Sequence, residues 1–331
     1  MYNKLLKKNS TLRRIIAEFT PVEFVSLAFF LVLGVITLIF SAKVDVASIL
    51  SRFGIATATI VIVNWVRAFS KQKWVHILHT FYLLILIIII FKTVEKLSFP
   101  IHGHDYDSVL ILVDRSIFGF DPTIWLYQHI PVMPIFIEFL QICYFSYYFL
   151  PVIITAELFA RRQKHLSGDH SAQNLEYLRF IMLYGLLASY LVYLVLPGIG
   201  PRFTLHEFLN YDRELPGLLL TDAIRWVINT GENITNTMTS VEAARTVTRD
   251  VFPSGHTELT ILSMILAFRF RVRARWLIFV LGSGLIFSTV YLRYHYVIDI
   301  VGGAVLAMIV LYTADPVIKF FIRFKQRHAS P

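Results

Sequence analysis

Residues 288–299 read Ser-Thr-Val-Tyr-Leu-Arg-Tyr-His-Tyr-Val-Ile-Asp, and they lead directly into an apolar run. His295 and Asp299 are four residues apart, so they share one face if this stretch is helical. Asp299 then lies about one turn inside a membrane-spanning helix, where an unpartnered carboxylate is costly, on the order of 2.5–3.5 kcal/mol at mid-span. The imidazole of His295 is the nearest partner. A ring that donates one N–H to a carboxylate keeps its other nitrogen free to attack or to bind.

The composition extends this membrane interpretation to the whole chain. Of its 331 residues, 56% are hydrophobic, and the mean hydropathy is +0.63. Such a chain is too apolar for an ordinary soluble domain and is typical of a polytopic membrane protein. The formal charge is +9, but the charges form short clusters between apolar stretches, which argues against a nucleic-acid partner. The single cysteine, Cys143, excludes an internal disulfide.

Eight apolar stretches are long enough to cross a bilayer as helices, at about 20 residues each. We predict spans at 21–41, 48–66, 75–94, 132–158, 175–196, 256–270, 275–292 and 296–314. Both ends and the even-numbered connections carry the basic residues, namely Lys4, Lys7, Lys8, Arg13, Arg14, Arg67, Lys71, Lys73, Arg161, Arg162, Lys164, Arg269, Arg271, Arg273, Arg275, Lys319, Arg323, Lys325 and Arg327. Basic loops face the cytoplasm. The sequence therefore predicts an all-α membrane helical bundle with eight transmembrane helices and both termini cytoplasmic.

Three regions follow from this arrangement. Residues 1–131 are expected to hold the N-terminal transmembrane helices and an extracytoplasmic amphipathic segment, Val109 to Trp125, that lies against the membrane surface or re-enters it. Residues 132–318 are expected to form a catalytic helical-bundle core, and residues 319–331 a basic cytoplasmic tail. The polar connection 197–255 is predicted to be extracytoplasmic, with a short helix around Leu218–Asn229.

Three short motifs fall on this extracytoplasmic side. They are Leu-Pro-Gly-Ile-Gly-Pro-Arg-Phe at 196–203, Phe-Pro-Ser-Gly-His-Thr-Glu at 252–258, and the Arg293, His295 and Asp299 set. Ser254 is a good helix N-cap, and the amides of Gly255 and His256 at a helix N-terminus form an anion site.

These motifs suit chemistry on a phosphate group. Arg202 and Arg293 are suited to bidentate bonds with phosphate oxygens. Two histidines with different partners can divide the labour, one attacking phosphorus and the other protonating the leaving oxygen. None of these steps requires a metal or another cofactor.

The motifs resemble those of the type-2 phosphatidic acid phosphatase superfamily, across roughly residues 175–315. Its Pro-Ser-Gly-His motif is matched by residues 253–256, and Ser288, His295 and Asp299 match a further motif at the family spacing. Thr289 stands where the family usually has Arg, and Arg293 is the expected substitute. Val195 stands where the first motif has Lys, so a second phosphate cation must come from elsewhere. The candidates are Arg249, Arg245 and Arg213.

The departures look like the subgroup that contains fungal inositol phosphorylceramide synthases, which often has a Tyr-Leu-Arg-x-His-Tyr-x-x-Asp stretch. The superfamily implies that His295 is the nucleophile that forms a phosphohistidine, that Asp299 orients it, and that His256 is the general acid. It also implies four phosphate-binding residues, Arg202, Ser254, Gly255 and Arg293.

The expected activity is metal-independent hydrolysis of a membrane lipid phosphate at the extracytoplasmic face of the cytoplasmic membrane, or at the lumenal face in a eukaryote. The subgroup implies an alternative, transfer of the phosphoryl group to a lipid hydroxyl acceptor. A non-catalytic lipid-binding protein is the third hypothesis. The sequence does not fix which lipid is bound or the oligomeric state.

Two further groups of residues leave alternatives open. His102, His104, Asp105 and Asp107 have the side chains of a metal site, but their spacing matches no particular site, and a polar interfacial loop is the favoured interpretation. Glu258, two residues after His256, has two interpretations, contact with an acceptor hydroxyl or a hydrogen bond in the polar mouth of the bundle.

Overall fold

The computed structural model describes residues 14–70, 72–163 and 170–329. The structure is 79% helix, and the described residues contain no strand. The all-α prediction is therefore confirmed. Part of the basic pattern lies outside the described residues, namely Lys4, Lys7, Lys8, Arg13, Lys71 and Lys164.

The helices follow one another with short connections. In chain order they are α1 (Pro21–Ile39), α2 (Val46–Phe69), α3 (Lys73–His102), α4 (Asp107–Phe118), α5 (Pro122–His129), α6 (Pro134–Phe145), α7 (Leu150–Gln163), α8 (Ser171–Tyr193), α9 (Pro201–Thr204), α10 (Tyr211–Glu214), α11 (Thr221–Gly231), α12 (Ser240–Thr246), α13 (Gly255–Arg269), α14 (Arg275–Tyr291) and α15 (Val297–Ala329). Short 3-10 turns occur at Ser146–Tyr148 and Phe208–Asn210. The short helix predicted around 218–229 is α11.

The chain divides into two compact units. One comprises Met1–Ile101 with Leu311–Pro331, and the other comprises His102–Val310. All three motifs belong to the second unit. The amphipathic helix α4 falls in the region 1–131 that was predicted to hold the N-terminal helices, and it also belongs to this second unit.

The second unit is built around α13 and α14. These two helices pack against each other, α13 also packs against α8, and α14 also packs against α6. A buried cluster then joins α6 to α11 and to the loop that follows α14; its members are Ile137, Leu140, Tyr144, Tyr211, Leu215, Ile224, Ile228, Tyr291, Leu292 and Tyr294. Burial of this many large apolar side chains fixes the loop that carries His295.

The predicted count of eight spans is not confirmed. Five described helices are long and apolar enough to cross a membrane, namely α1, α2, α3, α8 and α15. The stretch predicted at 132–158 would be a sixth span, but it consists of two helices, Pro134–Tyr148 and Leu150–Arg162, with a 50° bend between them. Pro151 explains the break, because it lacks an N–H and its ring clashes with the carbonyl four residues earlier.

The helices at the remaining two predicted spans are shorter than the hydrocarbon core of a bilayer. α13 has 15 residues and α14 has 17. At 1.5 Å per residue they measure about 23–26 Å, against a hydrocarbon core of about 30 Å. The hydropathy of the sequence located both helices, because the predicted stretches 256–270 and 275–292 agree with Gly255–Arg269 and Arg275–Tyr291 to within one residue.

Candidate active site

Two of the predicted site residues, His295 and His256, face each other. His295 lies in the loop between α14 and α15, and His256 is the second residue of α13. The Nε2 atom of His295 is 3.3 Å from the Nδ1 atom of His256. The third and second motifs, which are 39 residues apart in this pair, therefore meet at their histidines.

The other ring nitrogen of His295 is held by the backbone. Its Nδ1 atom is 2.9 Å from the carbonyl oxygen of Val251, so in the neutral ring Nδ1 carries the proton and donates it there. Nε2 then holds a lone pair that faces His256, and the Nδ1–H of His256 donates to it. The resting pair thus presents an unprotonated nitrogen of His295 to the cavity described below.

Asp299 lies beside the same nitrogen of His295, but farther away. Its Oδ2 atom is 3.4 Å from Nδ1 of His295 and accepts the backbone N–H of Tyr296 at 2.8 Å. Its carbonyl oxygen accepts the N–H of Ser254, which joins the start of α15 to the start of α13. Asp299 and the Val251 carbonyl together surround Nδ1, and the carbonyl is the nearer acceptor.

The start of α13 is organised around Ser254. Its hydroxyl accepts the N–H of Thr257 at 3.2 Å, which confirms the predicted N-cap. Gly255 follows in close contact with α8, because a Cβ atom at this position would lie 2.6 Å from the hydroxyl of Tyr193. Both residues are buried and neither lines the cavity, so in the described part of the chain they shape the helix start that presents His256.

His256 is enclosed by aromatic rings from the end of α6 and from the 3-10 turn that follows it. Its ring stacks on Tyr144 with centroids 4.8 Å apart, and Tyr147 packs at 4.4 Å. Tyr144 also stacks on Tyr294, the residue before His295, at 4.1 Å. These stacked rings fix the orientation of His256 towards His295.

Arg202 lies in α9, and its side chain is 3% exposed. Its Nη1 atom donates to Asn229 Oδ1 at 3.0 Å, and its Nη2 atom donates to Glu232. The guanidinium carbon also lies over the Tyr294 ring, 4.9 Å from the centroid. Burial is the largest single effect and lowers the pKa of Arg202, but the carboxylate of Glu232 together with Tyr294, Tyr211 and Tyr144 outweighs it, and the net shift is upward. Arg202 is therefore a permanent cation held in place by Asn229, Glu232 and aromatic rings.

A cavity of about 380 Å³ of empty space brings these groups together. Its lining residues are Tyr144, Ile199, Arg202, Glu232, Val247, Thr248, Asp250, Val251, His256, Tyr294 and His295. Two of them, Glu232 and Asp250, are carboxylates. Burial raises the pKa of Asp250, although the Thr248 hydroxyl, which donates to it at 2.7 Å, opposes this shift. Burial also lowers the pKa of His295. The neutral imidazole of His295 is therefore the favoured form near pH 7.

Arg293 is not brought to this cavity. Its fully buried side chain donates to Glu214, and its guanidinium lies over the ring of Tyr127, 4.5 Å from the centroid. Its backbone has a positive φ of +61°. Within the described residues, its Nε and Nη2 atoms have no hydrogen-bond partner.

None of the candidates for a second phosphate cation lines the cavity within the described part of the chain. Arg249 pairs with Asp105 at 3.3 Å and also donates to backbone carbonyls. Arg213 and Arg245 are exposed. Arg202 is thus the one arginine or lysine among the described lining residues.

Three residues of the group His102, His104, Asp105 and Asp107 have contacts within the protein. His102 Nε2 lies 2.7 Å from the Leu194 carbonyl, Asp105 pairs with Arg249, and Asp107 accepts backbone N–H groups. Among the described residues, no group of three or more His, Cys, Asp or Glu side chains is arranged to hold a metal ion. Glu258 is also outside the cavity and accepts a hydrogen bond from Ser189 of α8.

Sequence reasoning missed several residues of the site. Tyr144, Glu232 and Asn229 lie far from the motifs in the chain, and nothing in their local pattern distinguishes them. Asp250 had a usable signal, because it is a carboxylate six residues before His256 in a short connection. The Val251 carbonyl gave no signal in the sequence, since every residue has a carbonyl.

Comparison with known proteins identifies a family. A family model described as the PAP2 superfamily matches residues 108–313, which include all three motifs and about three fifths of the chain. No curated protein matches the chain, and no solved structure matches it. Because the family match covers more than half of the sequence, the chain is a membrane-type helical protein that belongs to the PAP2 superfamily.

Proposed function

We propose that this protein is an integral membrane lipid phosphatase that acts through a phosphohistidine on His295, without a metal. One observation carries the proposal. The lone pair of His295 Nε2 faces the Nδ1 atom of His256 at 3.3 Å, beside a cavity that Arg202 also lines. The five or six apolar helices and the superfamily match support a lipid as the bearer of the phosphate.

The first step transfers the phosphoryl group to the enzyme. The Nε2 lone pair of His295 forms a bond to phosphorus, and the bond from phosphorus to the lipid oxygen breaks with its electrons going to that oxygen. His256 gives one proton to the leaving oxygen and is left neutral; the negative charge of the bound phosphate stabilises the doubly protonated ring that this step needs. Arg202 stabilises the negative charge on the phosphoryl oxygens.

The second step regenerates the enzyme. A water molecule attacks phosphorus, neutral His256 takes a proton from that water, and the bond between phosphorus and Nε2 breaks with its electrons returning to His295. Inorganic phosphate is released. Because the two histidine nitrogens are in contact in the resting structure, a phosphoryl group must separate them in order to lie between them.

A second candidate function is transfer of the phosphoryl group to a lipid hydroxyl. The specific observation in its favour is the pair of carboxylates, Glu232 and Asp250, that line the cavity with Arg202. Carboxylates accept hydrogen bonds from hydroxyl groups, and they repel a doubly charged phosphomonoester more than a singly charged diester. This function uses the same first step, and an alcohol replaces water in the second.

The deciding experiment is turnover of a panel of lipid phosphates by purified protein with EDTA present. Wild type, His295→Ala and His129→Ala would be compared, the last as a control that removes an exposed histidine. Free phosphate and lipid products would be measured separately, with diacylglycerol, ceramide and inositol lipids supplied as acceptors.

Each outcome decides between the candidates. Free phosphate from wild type and His129→Ala, but not from His295→Ala, supports the phosphatase. A new phospholipid without free phosphate, with the same dependence on His295, supports the transferase. Equal turnover by His295→Ala would overturn the phosphohistidine on His295. No product from any lipid would overturn the proposal and favour a lipid-binding protein.

A further inference from the structure

Helix α4 carries two buried carboxylates that have no part in the proposed chemistry. Asp107 and Asp114 are seven residues apart, which is about two helical turns, so they lie on the same face. Their side chains are only 5% and 2% exposed. Burial of a carboxylate is costly unless hydrogen bonds satisfy it, so the partners of these two residues are informative.

Asp107 binds the loop of the first motif. Its Oδ2 atom accepts the N–H of Ile199 at 2.9 Å, and its Oδ1 atom accepts the N–H of Gly200 at 2.8 Å. Gly200 is two residues before Arg202 in the chain. The position of the Arg202 backbone therefore depends on a carboxylate that lies almost a hundred residues earlier.

The same carboxylate also reaches the third motif. The hydroxyl of Tyr296, the residue after His295, donates to Asp107 Oδ1 at 2.8 Å. The two loops also touch directly, because a Cβ atom at Gly200 would lie 2.9 Å from the carbonyl oxygen of Tyr294. The φ of Gly200 is +91°, so this close approach needs a glycine. Asp107 thus joins the two loops at the point where their backbones meet.

Asp114 binds the start of α15. Its Oδ2 atom accepts the N–H of Val297 at 2.9 Å, and its Oδ1 atom accepts the N–H of Ile298 at 2.8 Å. These are the first two residues of α15, whose N–H groups have no acceptor within the helix. A carboxylate from another helix therefore caps α15 directly after His295, and it also interacts favourably with the helix dipole.

We propose that Asp107 and Asp114 are positioning residues, through which α4 sets the distance between Arg202 and His295. The proposal rests on the proposed function for its kinetic consequences only. Asp107 holds the Arg202 loop and the His295 loop, whereas Asp114 holds only the His295 side. The two residues therefore have distinguishable effects on phosphate binding and on catalysis.

The direct test is hydrogen exchange of backbone amides in Asp107→Asn, Asp114→Asn and Asp121→Asn. Asparagine has nearly the same shape, but its NH2 group does not accept, so one of the two backbone bonds is lost with the charge. Asp121→Asn is the matched control. Asp121 lies just after the end of α4 and pairs with the exposed Arg115 at 2.8 Å.

We expect a separate pattern of exchange for each variant. Asp107→Asn should speed exchange at residues 199–200, and Asp114→Asn should speed exchange at residues 297–298. Asp121→Asn should exchange as wild type at both places. If both loops of the two test variants exchange at the wild-type rate, the proposal is overturned.

Kinetic constants provide the second readout. A merely structural role would not give the two variants different effects on KM and kcat. Asp107→Asn should raise KM about 10-fold and also lower kcat, because it displaces both loops, whereas Asp114→Asn should lower kcat about 10-fold with little change in KM. Tyr296→Phe is a milder variant that removes the bond from the third motif to Asp107 and also the contact of the Tyr296 hydroxyl with the Thr204 hydroxyl of α9 at 2.6 Å. It should lower kcat without changing exchange at residues 199–200.

The outcomes separate this proposal from the proposed function. If wild type turns over no lipid phosphate but the exchange pattern is as expected, the proposed function fails and the positioning of the loops stands. If wild type is active and Asp107→Asn, Asp114→Asn and Asp121→Asn have equal kcat and KM, the positioning proposal fails. Should either aspartate variant not fold, Tyr296→Phe with unchanged kcat would overturn it as well.

Discussion

The Nε2 atom of His295 lies 3.3 Å from the Nδ1 atom of His256, at a junction of α13 with the loop before α15. Each ring is fixed from its other side, His295 by the Val251 carbonyl and His256 by stacking on Tyr144. The two nitrogens therefore meet because the backbone and the aromatic core direct them to one point. The proposed function gives the two histidines different roles, and each role is testable.

The proposed acid role of His256 predicts a dependence on the leaving group. His256→Ala should lower turnover of a lipid phosphate by about 10²–10⁴-fold, the range for loss of a general acid. With a nitrophenyl phosphate ester, whose leaving oxygen needs no proton, the loss should be much smaller. His295→Ala should abolish turnover of both substrates. An equal loss with both substrates in His256→Ala would contradict the acid role.

The proposed nucleophile role of His295 predicts an unusual pH profile. Burial lowers the pKa of His295, while the negative charge of Asp250 raises it. Since the neutral ring is the nucleophile, the acid limb of kcat/KM should lie below the ordinary histidine value of about 6.5. Asp250→Asn removes the charge that favours protonation, so this limb should move to still lower pH. A limb at or above 6.5, or one that rises in Asp250→Asn, would contradict the assignment.

The sequence predicted the parts of the site that depend on local pattern. Ser254 was expected to cap a helix, and it does so because its hydroxyl needs only the N–H three residues later. The second and third motifs were expected on the same side of the membrane, because both fall at the ends of neighbouring apolar stretches. Such inferences need only the periodicity of a helix and the count of apolar residues.

The parts that the sequence did not reveal depend on distant contacts. Arg293 was expected to bind phosphate, but its pairing with Glu214, 79 residues away, directs it elsewhere. The carboxylate that holds Arg202 comes from Glu232, at the end of a different helix. Hydropathy also predicted eight spans, whereas five or six of the described helices are long and apolar enough to cross a membrane. Hydropathy does not record where a proline breaks a helix.

The ion pair between Glu232 and Arg202 predicts competition with phosphate. Glu232→Gln keeps an oxygen that accepts from Arg202 but removes the negative charge that repels a phosphate dianion. Inorganic phosphate should then inhibit at a concentration lower by on the order of 10-fold. Glu242→Gln is the matched control, since Glu242 is exposed and glutamine preserves its capping box. Weaker inhibition in Glu232→Gln would mean that the charge is needed to hold Arg202 in place.

Close packing between α15 and the start of α13 predicts a sensitive glycine. A Cβ atom at Gly303 would lie 2.4 Å from the Ser254 carbonyl oxygen, so Gly303→Ala must push the two helices apart. It should lower the free energy of unfolding by about 1–3 kcal/mol and lower turnover. Gly54→Ala is the control, because a Cβ there meets nothing within 4 Å among the described residues. Thermal unfolding in detergent would compare the two variants, and equal Tm values would contradict the packing argument.

The pattern of basic connections predicts which side of the membrane each loop faces. Thr237 lies in the connection that carries the first motif and Arg273 in the basic turn between α13 and α14, and both are exposed. Cys143 is buried, so single cysteines introduced at these positions can be labelled against a quiet background. In intact cells, a thiol reagent that does not cross membranes should label Thr237→Cys and spare Arg273→Cys until the membrane is opened. The reverse pattern would place the cavity on the cytoplasmic side, because Glu232 and Asp250 flank Thr237 in the same connection. The lipid phosphate would then have to come from the inner leaflet.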